Sequence, residues 1–182
     1  SGNSTISVVL GRGADGVGDG TFADPVTLAV GARARAIATG DFDGDGLADL
    51  AVVANLGGTV AILLGQGAGG VGNGTFGPAI AYAAGQDAYA VVTGDFNSDG
   101  ITDLAVALNG TANAVAVLLG LGQSGVGTGA FGSAVRYPAG AAPGAIAAGD
   151  MNGDGITDLV VTNSTLNQAA ILLGTGAGGV GD

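Results

Sequence analysis

Cysteine, histidine, lysine, glutamate and tryptophan are all missing from the 182 residues. Without cysteine there are no disulfides, no zinc thiolates and no thiol redox chemistry, and the compartment is left undecided. Without histidine, cysteine, glutamate or lysine, the Ser-His triad, the thiol nucleophile, the Schiff base and the histidine-bound zinc are excluded. Asp and Tyr remain as acid or base groups. A pair of aspartates can in principle hydrolyse a glycoside, but the obvious aspartates serve another pattern, so a non-catalytic chain is expected. Aromatic residues make up 4% against 47% for all hydrophobic types, so any core is built from Ala, Val, Leu and Ile. No uninterrupted apolar run of about 18 residues suggests a membrane span, and no membrane insertion is expected. Nor does a charged stretch followed by an apolar core and a cleavage site open the chain.

What the chain has in excess is glycine, 39 residues of it. Glycine in a helix interior costs about 1 kcal/mol relative to alanine, whereas it supplies the positive φ that hairpins need, so the balance favours an all-β chain. All fifteen acidic residues are Asp, and with four arginines the net charge is −11. That charge argues against a nucleic-acid partner. Ten of the fifteen aspartates fall in three short stretches.

The first stretch is Gly40 to Val52, "GDFDGDGLADLAV". Asp41, Asp43 and Asp45 stand at alternate positions, Leu47 offers its carbonyl at the seventh and Asp49 closes at the ninth. Calcium takes six to eight oxygen ligands at about 2.3–2.6 Å, and the sharp turn of such a loop needs glycine at the sixth position, where Gly46 stands. "GDFNSDGITDLAV" from Gly94 and "GDMNGDGITDLVV" from Gly149 repeat the pattern with acidic or amide oxygen in the same slots. Three calcium ions, one per loop, would bring the net charge from −11 to −5 (−11 + 6).

The repeat sets the fold. Asp41, Asp95 and Asp150 lie 54 and 55 residues apart, and a second landmark, "VLG" or "LLG" ending at Gly11, Gly65, Gly120 and Gly174, returns at 54, 55 and 54. Each repeat holds four short runs suited to β-strands, in the second repeat Ala88 to Thr93, Asp103 to Leu108, Ala114 to Leu119 and Ser133 to Pro138. Asn109-Gly110 and Gly57-Gly58 read as hairpin turn pairs between the second and third runs. Runs such as Leu50 to Ala54 are apolar throughout, which implies that both faces are buried and that sheets stack. Four-stranded antiparallel sheets of this size can stack radially as blades of a β-propeller, for which about 4–8 blades close the ring, or in line as a curved or linear solenoid. The small residues of "AIATGD", "AVVTGD" and "AIAAGD" suit the crowded strand nearest the axis. The expected organisation is a partial blade over 1–32, repeats over 33–86 and 87–141, and a third over 142–182 that lacks its fourth strand. Three repeats leave the ring incomplete within one chain.

The glycine-rich segment between the third and fourth runs, "GRGADGVGDGTF" and its copies, ends at Phe22, Phe76 or Phe131. A structural hairpin is expected there, its phenylalanine filling the space between neighbouring sheets. Asp15 and Asp19 are further oxygen donors in the first copy only, with Asn73 and Thr128 at equivalent places in the others. Asn3, Asn73, Asn109 and Asn163 begin Asn-X-Ser/Thr sequons.

These motifs together, "GDFDGDGLADLAV" and its copies, "VAILLGQG" before the hairpin and "NGTFGPAIAY" after it, resemble the FG-GAP or VCBS repeat of integrin α-subunit propellers and bacterial secreted proteins. The resemblance implies four-stranded blades, calcium between the first and second strands of a blade, an extracellular or cell-surface location, and adhesion or protein binding without catalysis. Carried over residue by residue, it implies ligation by Asp41, Asp43, Asp45, the Leu47 carbonyl and Asp49; by Asp95, Asn97, Asp99, the Ile101 carbonyl and Asp103; and by Asp150, Asn152, Asp154, the Ile156 carbonyl and Asp158. The ligand displayed is a protein or, as the alternative, a glycan stacked on Tyr82, Tyr89 or Tyr137 in a lectin-like propeller. A homodimer that completes a ring, or a fragment of a longer repeat array, accounts for the blade number.

Overall fold

The structure, a computed structural model, describes residues 4–15, 17–31, 33–165, 167–177 and 180–181. It is all-β. The chain opens with β1 (Ser4–Val8), the hairpin β2 (Gly11–Ala14) and β3 (Val17–Phe22), and β4 (Val26–Gly31). The next repeat runs through β5 (Ala34–Gly40), β6 (Asp49–Ala54), β7 (Thr59–Leu63), the hairpin β8 (Gly65–Ala68) and β9 (Val71–Phe76), and β10 (Ile80–Ala83). The same order returns in β11 (Ala88–Gly94), β12 (Asp103–Leu108), β13 (Ala114–Leu118), β14 (Gly120–Gln123), β15 (Val126–Phe131) and β16 (Val135–Pro138). Then come β17 (Pro143–Gly149), β18 (Asp158–Asn163), β19 (Gln168–Leu172) and the short hairpin β20 (Gly176–Ala177) and β21 (Val180–Gly181). No described helix is long and apolar enough to cross a membrane.

Pairing is antiparallel throughout. Two four-stranded sheets have the order β5-β6-β7-β10 and β11-β12-β13-β16; β17-β18-β19 form a three-stranded sheet and β1-β4 a pair. The second strand of each full sheet is apolar on both sides because both sides are covered. Every residue of β12 is buried, between a core that includes Val53, Ile62, Leu104, Val106 and Leu118 on one face and one formed by Ala105, Val115, Leu159 and Val161 on the other. The small residues of the first strands allow close approach: β11 packs between β5 and β17, and the Thr93 hydroxyl donates to the Thr39 carbonyl at 3.2 Å.

The connections between second and third strands are longer than the two-residue turns expected from sequence. In the first full sheet Asn55–Gly57 forms a 3-10 turn closed by Gly58 in the left-handed region, φ 59°. In the second, the link from Leu108 to Ala114 ends on Asn113 with φ 47°. The asparagine at the start of each link has a different task. Asn55 Nδ2 donates to the Ala88 carbonyl at 2.8 Å, and Asn109 Nδ2 to the Pro143 carbonyl at 2.7 Å, so each ties its own sheet to the first strand of the next.

The glycine-rich segments fold as the expected hairpins, and β14-β15 leans back over the preceding sheet. Gly129 N–H donates to the Phe42 carbonyl at 2.8 Å, and Phe131 packs edge-on against Phe42 and Tyr82 with ring centroids 5.4 and 5.5 Å away. Phe131 therefore fills the junction as expected, and Phe76 packs partly buried in the junction before it. Phe22 departs from that expectation: it is 66% exposed, because among the described residues no sheet precedes β1 and β4 for it to lean on.

Candidate metal centre

Each loop hangs from the paired ends of the first two strands of a sheet. In the first, Gly40 pairs with Asp49, so the ninth-position carboxylate lies at the base of the loop, fully buried. Its Oδ2 accepts from Phe42 N–H and its Oδ1 from Gly65 N–H, both at 2.7 Å. Asp41 folds the loop around itself, accepting from Gly44 N–H at 2.8 Å and Gly46 N–H at 2.9 Å. Both glycines have positive φ, 75° and 84°, which explains the fixed glycine at the sixth position. Leu47 buries its side chain and donates its N–H to Asp45 Oδ1 at 2.8 Å.

This folding gathers Asp41, Asp43 and Asp49, one carboxylate oxygen of each lying within 4.8 Å of the others. Asp45 falls outside that trio; its N–H donates to Asp43 Oδ1 at 3.2 Å. Like charges held so close are costly without a cation. Burial pushes the Asp49 carboxyl up against the pull of the Gly65 and Phe42 N–H groups, and Asp43 and Asp41 push it further. Burial also raises Asp43, and Asp45 and Asp41 add to the rise. The donors are hard oxygens with no nitrogen or sulfur among them, the set that suits calcium or magnesium rather than zinc.

The other two loops keep the frame. Asp103 and Asp158 are fully buried and accept from Phe96 and Gly120, and from Met151 and Gly174, at 2.7–2.8 Å. Asp95 accepts from Gly100 N–H and Asp150 from Gly155 N–H, both at 2.9 Å. Ile101 and Ile156 bury their side chains and donate to Asp99 and Asp154. The third position differs in kind. Asn97 Nδ2 donates to Asp99 Oδ2 at 2.9 Å and Asn152 Nδ2 to Asp154 Oδ2 at 2.8 Å, so the amide gives its neighbouring carboxylate a partner where Asp43 gives only a charge. Burial pushes the Asp103 carboxyl up to about 6. Exposed Asp150 is held below the usual range by the Gly155 and Gly153 N–H groups.

The second role of the ninth aspartate escapes sequence reasoning, yet it accounts for the "LLG" landmark. The glycine that closes the third strand gives its N–H to that aspartate and leaves no room for a side chain: a Cβ on Gly65 would meet the Ala48 carbonyl at 2.6 Å, and one on Gly120 the Thr102 carbonyl at 2.6 Å. The recurrence at 54 and 55 residues was the signal for it.

Asp19 accepts from Thr21 N–H at 2.8 Å and Oγ1 at 2.7 Å, and Asn73 serves Thr75 in the same way, so both brace their hairpins. Asp15, φ 53°, lies in the turn of the first hairpin. Of the tyrosines, Tyr82 packs on Phe131, Tyr89 lies under the Arg35 guanidinium at 3.5 Å, and Tyr137 is exposed. Among the sequons, Asn109 spends its amide on Pro143, Asn163 is buried, and Asn3 lies outside the described residues.

A search of curated proteins finds no match to the chain. The model of the FG-GAP-like repeat matches residues 1–52 and 95–161, and that of the FG-GAP repeat matches residues 34–75. Those matches take in the aspartates of all three loops, and the chain belongs to the FG-GAP repeat family.

Proposed function

We propose that the chain is a calcium-stabilised, non-catalytic repeat module of extracellular adhesion type, which holds a protein-interaction surface on stacked four-stranded sheets. The observation that carries the calcium reading is the trio Asp41, Asp43 and Asp49, three like charges convergent on one point. One ion per loop is held by Asp41, Asp43, Asp45, the Leu47 carbonyl and Asp49; by Asp95, Asn97, Asp99, the Ile101 carbonyl and Asp103; and by Asp150, Asn152, Asp154, the Ile156 carbonyl and Asp158. The ion supplies positive charge that offsets the carboxylates. The chain's own part is structural: the ninth aspartate joins the loop to the second strand and to the glycine after the third, so neutralising it fixes three segments at once.

The first loop carries four carboxylates and no amide that partners them, so it gains most from the ion and binds it most tightly. Tyr82 and Tyr89 already spend their rings inside the chain, which favours a protein over a glycan as the displayed partner. Thermal unfolding in calcium and in chelator tests the reading. Each site filled at about a hundredfold over its dissociation constant adds about 2.7 kcal/mol, about 5–10 °C for a chain of this size. Identical melting with and without calcium would refute it.

A further inference from the structure

Hairpin β14-β15 is a two-stranded sheet of its own, outside the ladders of the four-stranded sheets. It stands between two aspartate loops. On one side it meets the first: Gly129 N–H donates to the Phe42 carbonyl at 2.8 Å, and Val126 lies so close to Gly44 that a Cβ there would meet its Cγ1 at 2.7 Å. On the other it meets the second: a Cβ on Gly100 would meet Gly125 Cα at 3.2 Å, and one on Gly127 would meet Ile101 Cγ2 at 3.3 Å.

These contacts form a continuous path between two buried carboxylates. Asp49 Oδ2 accepts from Phe42 N–H at 2.7 Å, and the carbonyl of the same Phe42 accepts from Gly129. Strand β15 pairs with β14 at Phe131 and Gly120, and Gly120 N–H ends on Asp103 Oδ1 at 2.7 Å. The hairpin has two states open to it, seated and lifted. Lifting Gly122 to Gly129 off the loops breaks the Gly129–Phe42 bond, parts Val126 from Gly44 and Gly125 from Gly100, and leaves both four-stranded ladders intact. Most residues of the hairpin are exposed, so little burial holds it down.

We propose that the first and second loops are coupled ion sites, each bound more tightly when the other is filled, with β14-β15 as the element they share. The proposal rests on the calcium reading above. Neutralising Asp49 fixes Phe42, to which the hairpin is bonded; neutralising Asp103 fixes Gly120 and the loop on which the hairpin stands. Whichever loop is filled first meets the cost of seating the hairpin, and the other is spared it. Linkage makes the effect equal in both directions.

The amide resonances of Gly46 and Gly100, at the sixth position of each loop, follow the two sites separately in a calcium titration read by NMR. Asp99→Ala disables the second loop and Asp43→Ala the first. The expected result is a midpoint at Gly46 raised at least about fivefold by Asp99→Ala, and one at Gly100 raised by the same factor by Asp43→Ala. Gly127→Ala removes the shared element: its φ lies outside the left-handed region, but the new methyl runs into the Phe42 carbonyl and drives the hairpin off the first loop. In that background both loops should still fill, and Asp99→Ala should leave the Gly46 midpoint within about twofold. The charge removed by Asp99→Ala is the same in both backgrounds, so their difference reads the hairpin alone. Val126→Ala, which takes away only the methyl against Gly44, is the milder second variant and should lower the factor. A Gly46 midpoint unmoved by Asp99→Ala would overturn the inference, as would coupling that survives both hairpin variants; in either case the loops still bind and the calcium reading stands. Resonances that calcium does not move at all would overturn both.

Discussion

Substituting Asp103 by asparagine separates the metal role proposed for the ninth aspartate from its structural one. In the metal-free chain, raising this carboxyl from 3.8 to about 6 corresponds to about 3 kcal/mol by which its ionised form strains the fold at neutral pH. The sign follows from linkage. Between about pH 4 and 6 the folded chain holds a proton that the unfolded chain has released, so lowering the pH through this window adds stability, and raising it removes stability. Burial raises Asp49 and Asp43 as well, which gives the same sign. The side chain introduced by Asp103→Asn carries no charge, but its amide can accept only one of the two N–H groups from Phe96 and Gly120. The other is left buried and unpaired at a cost of about 1–3 kcal/mol. At neutral pH without metal the two effects nearly cancel, and D103N should unfold within about 2 kcal/mol of the parent chain, with a visibly flatter pH dependence below pH 7. In calcium the comparison reverses: the parent gains stability at this loop, D103N loses that increment, and acid now destabilises the parent by displacing the ion. Urea unfolding across this pH range, in metal-free and calcium buffers, measures all four slopes. A metal-free parent whose stability rises with pH from about 4 to 6, or a D103N slope identical to the parent's, would refute the reasoning.

Gly120→Ala is expected to cost at least about 2 kcal/mol, because the new methyl meets the Thr102 carbonyl and pulls Gly120 N–H off Asp103; urea unfolding reads it, and an unchanged midpoint would contradict the close approach. Asn109→Ala removes the tie between the second and third sheets and leaves the Pro143 carbonyl without its partner, a loss of about 1–2 kcal/mol, with faster hydrogen exchange expected in β17. Asn163→Leu goes the other way. Its Oδ1 is buried without a partner where the second sheet has Leu108, and the substitution should stabilise by about 1 kcal/mol in the same assay.

The repeat and the order of strands within it were legible because the information is local: alternate carboxylates before an apolar run, and glycine landmarks at a fixed period. The apolar character of Asp103–Leu108 on both faces announced stacked sheets, and β12 is buried throughout. Where the physics is between repeats, the sequence is silent. Asn109-Gly110 has the composition of a tight hairpin turn, but its amide acts 34 residues away on the next sheet. The same limit applies to Phe22, whose sequence is that of a buried plug and whose exposure depends on what neighbours it. Within the loop, the spacing shows which residues carry oxygen, but not that Asp45 turns its carboxylate toward Leu47 N–H while Asp41, Asp43 and Asp49 converge.

The central claim is that each aspartate loop holds one calcium ion and that the first holds it most tightly. Isothermal titration of the metal-free chain with calcium tests it most directly. The account expects three ions per chain, with the strongest class lost in Asp43→Ala and the other two retained. A stoichiometry of zero, or three sites from which Asp43→Ala removes nothing, would contradict it.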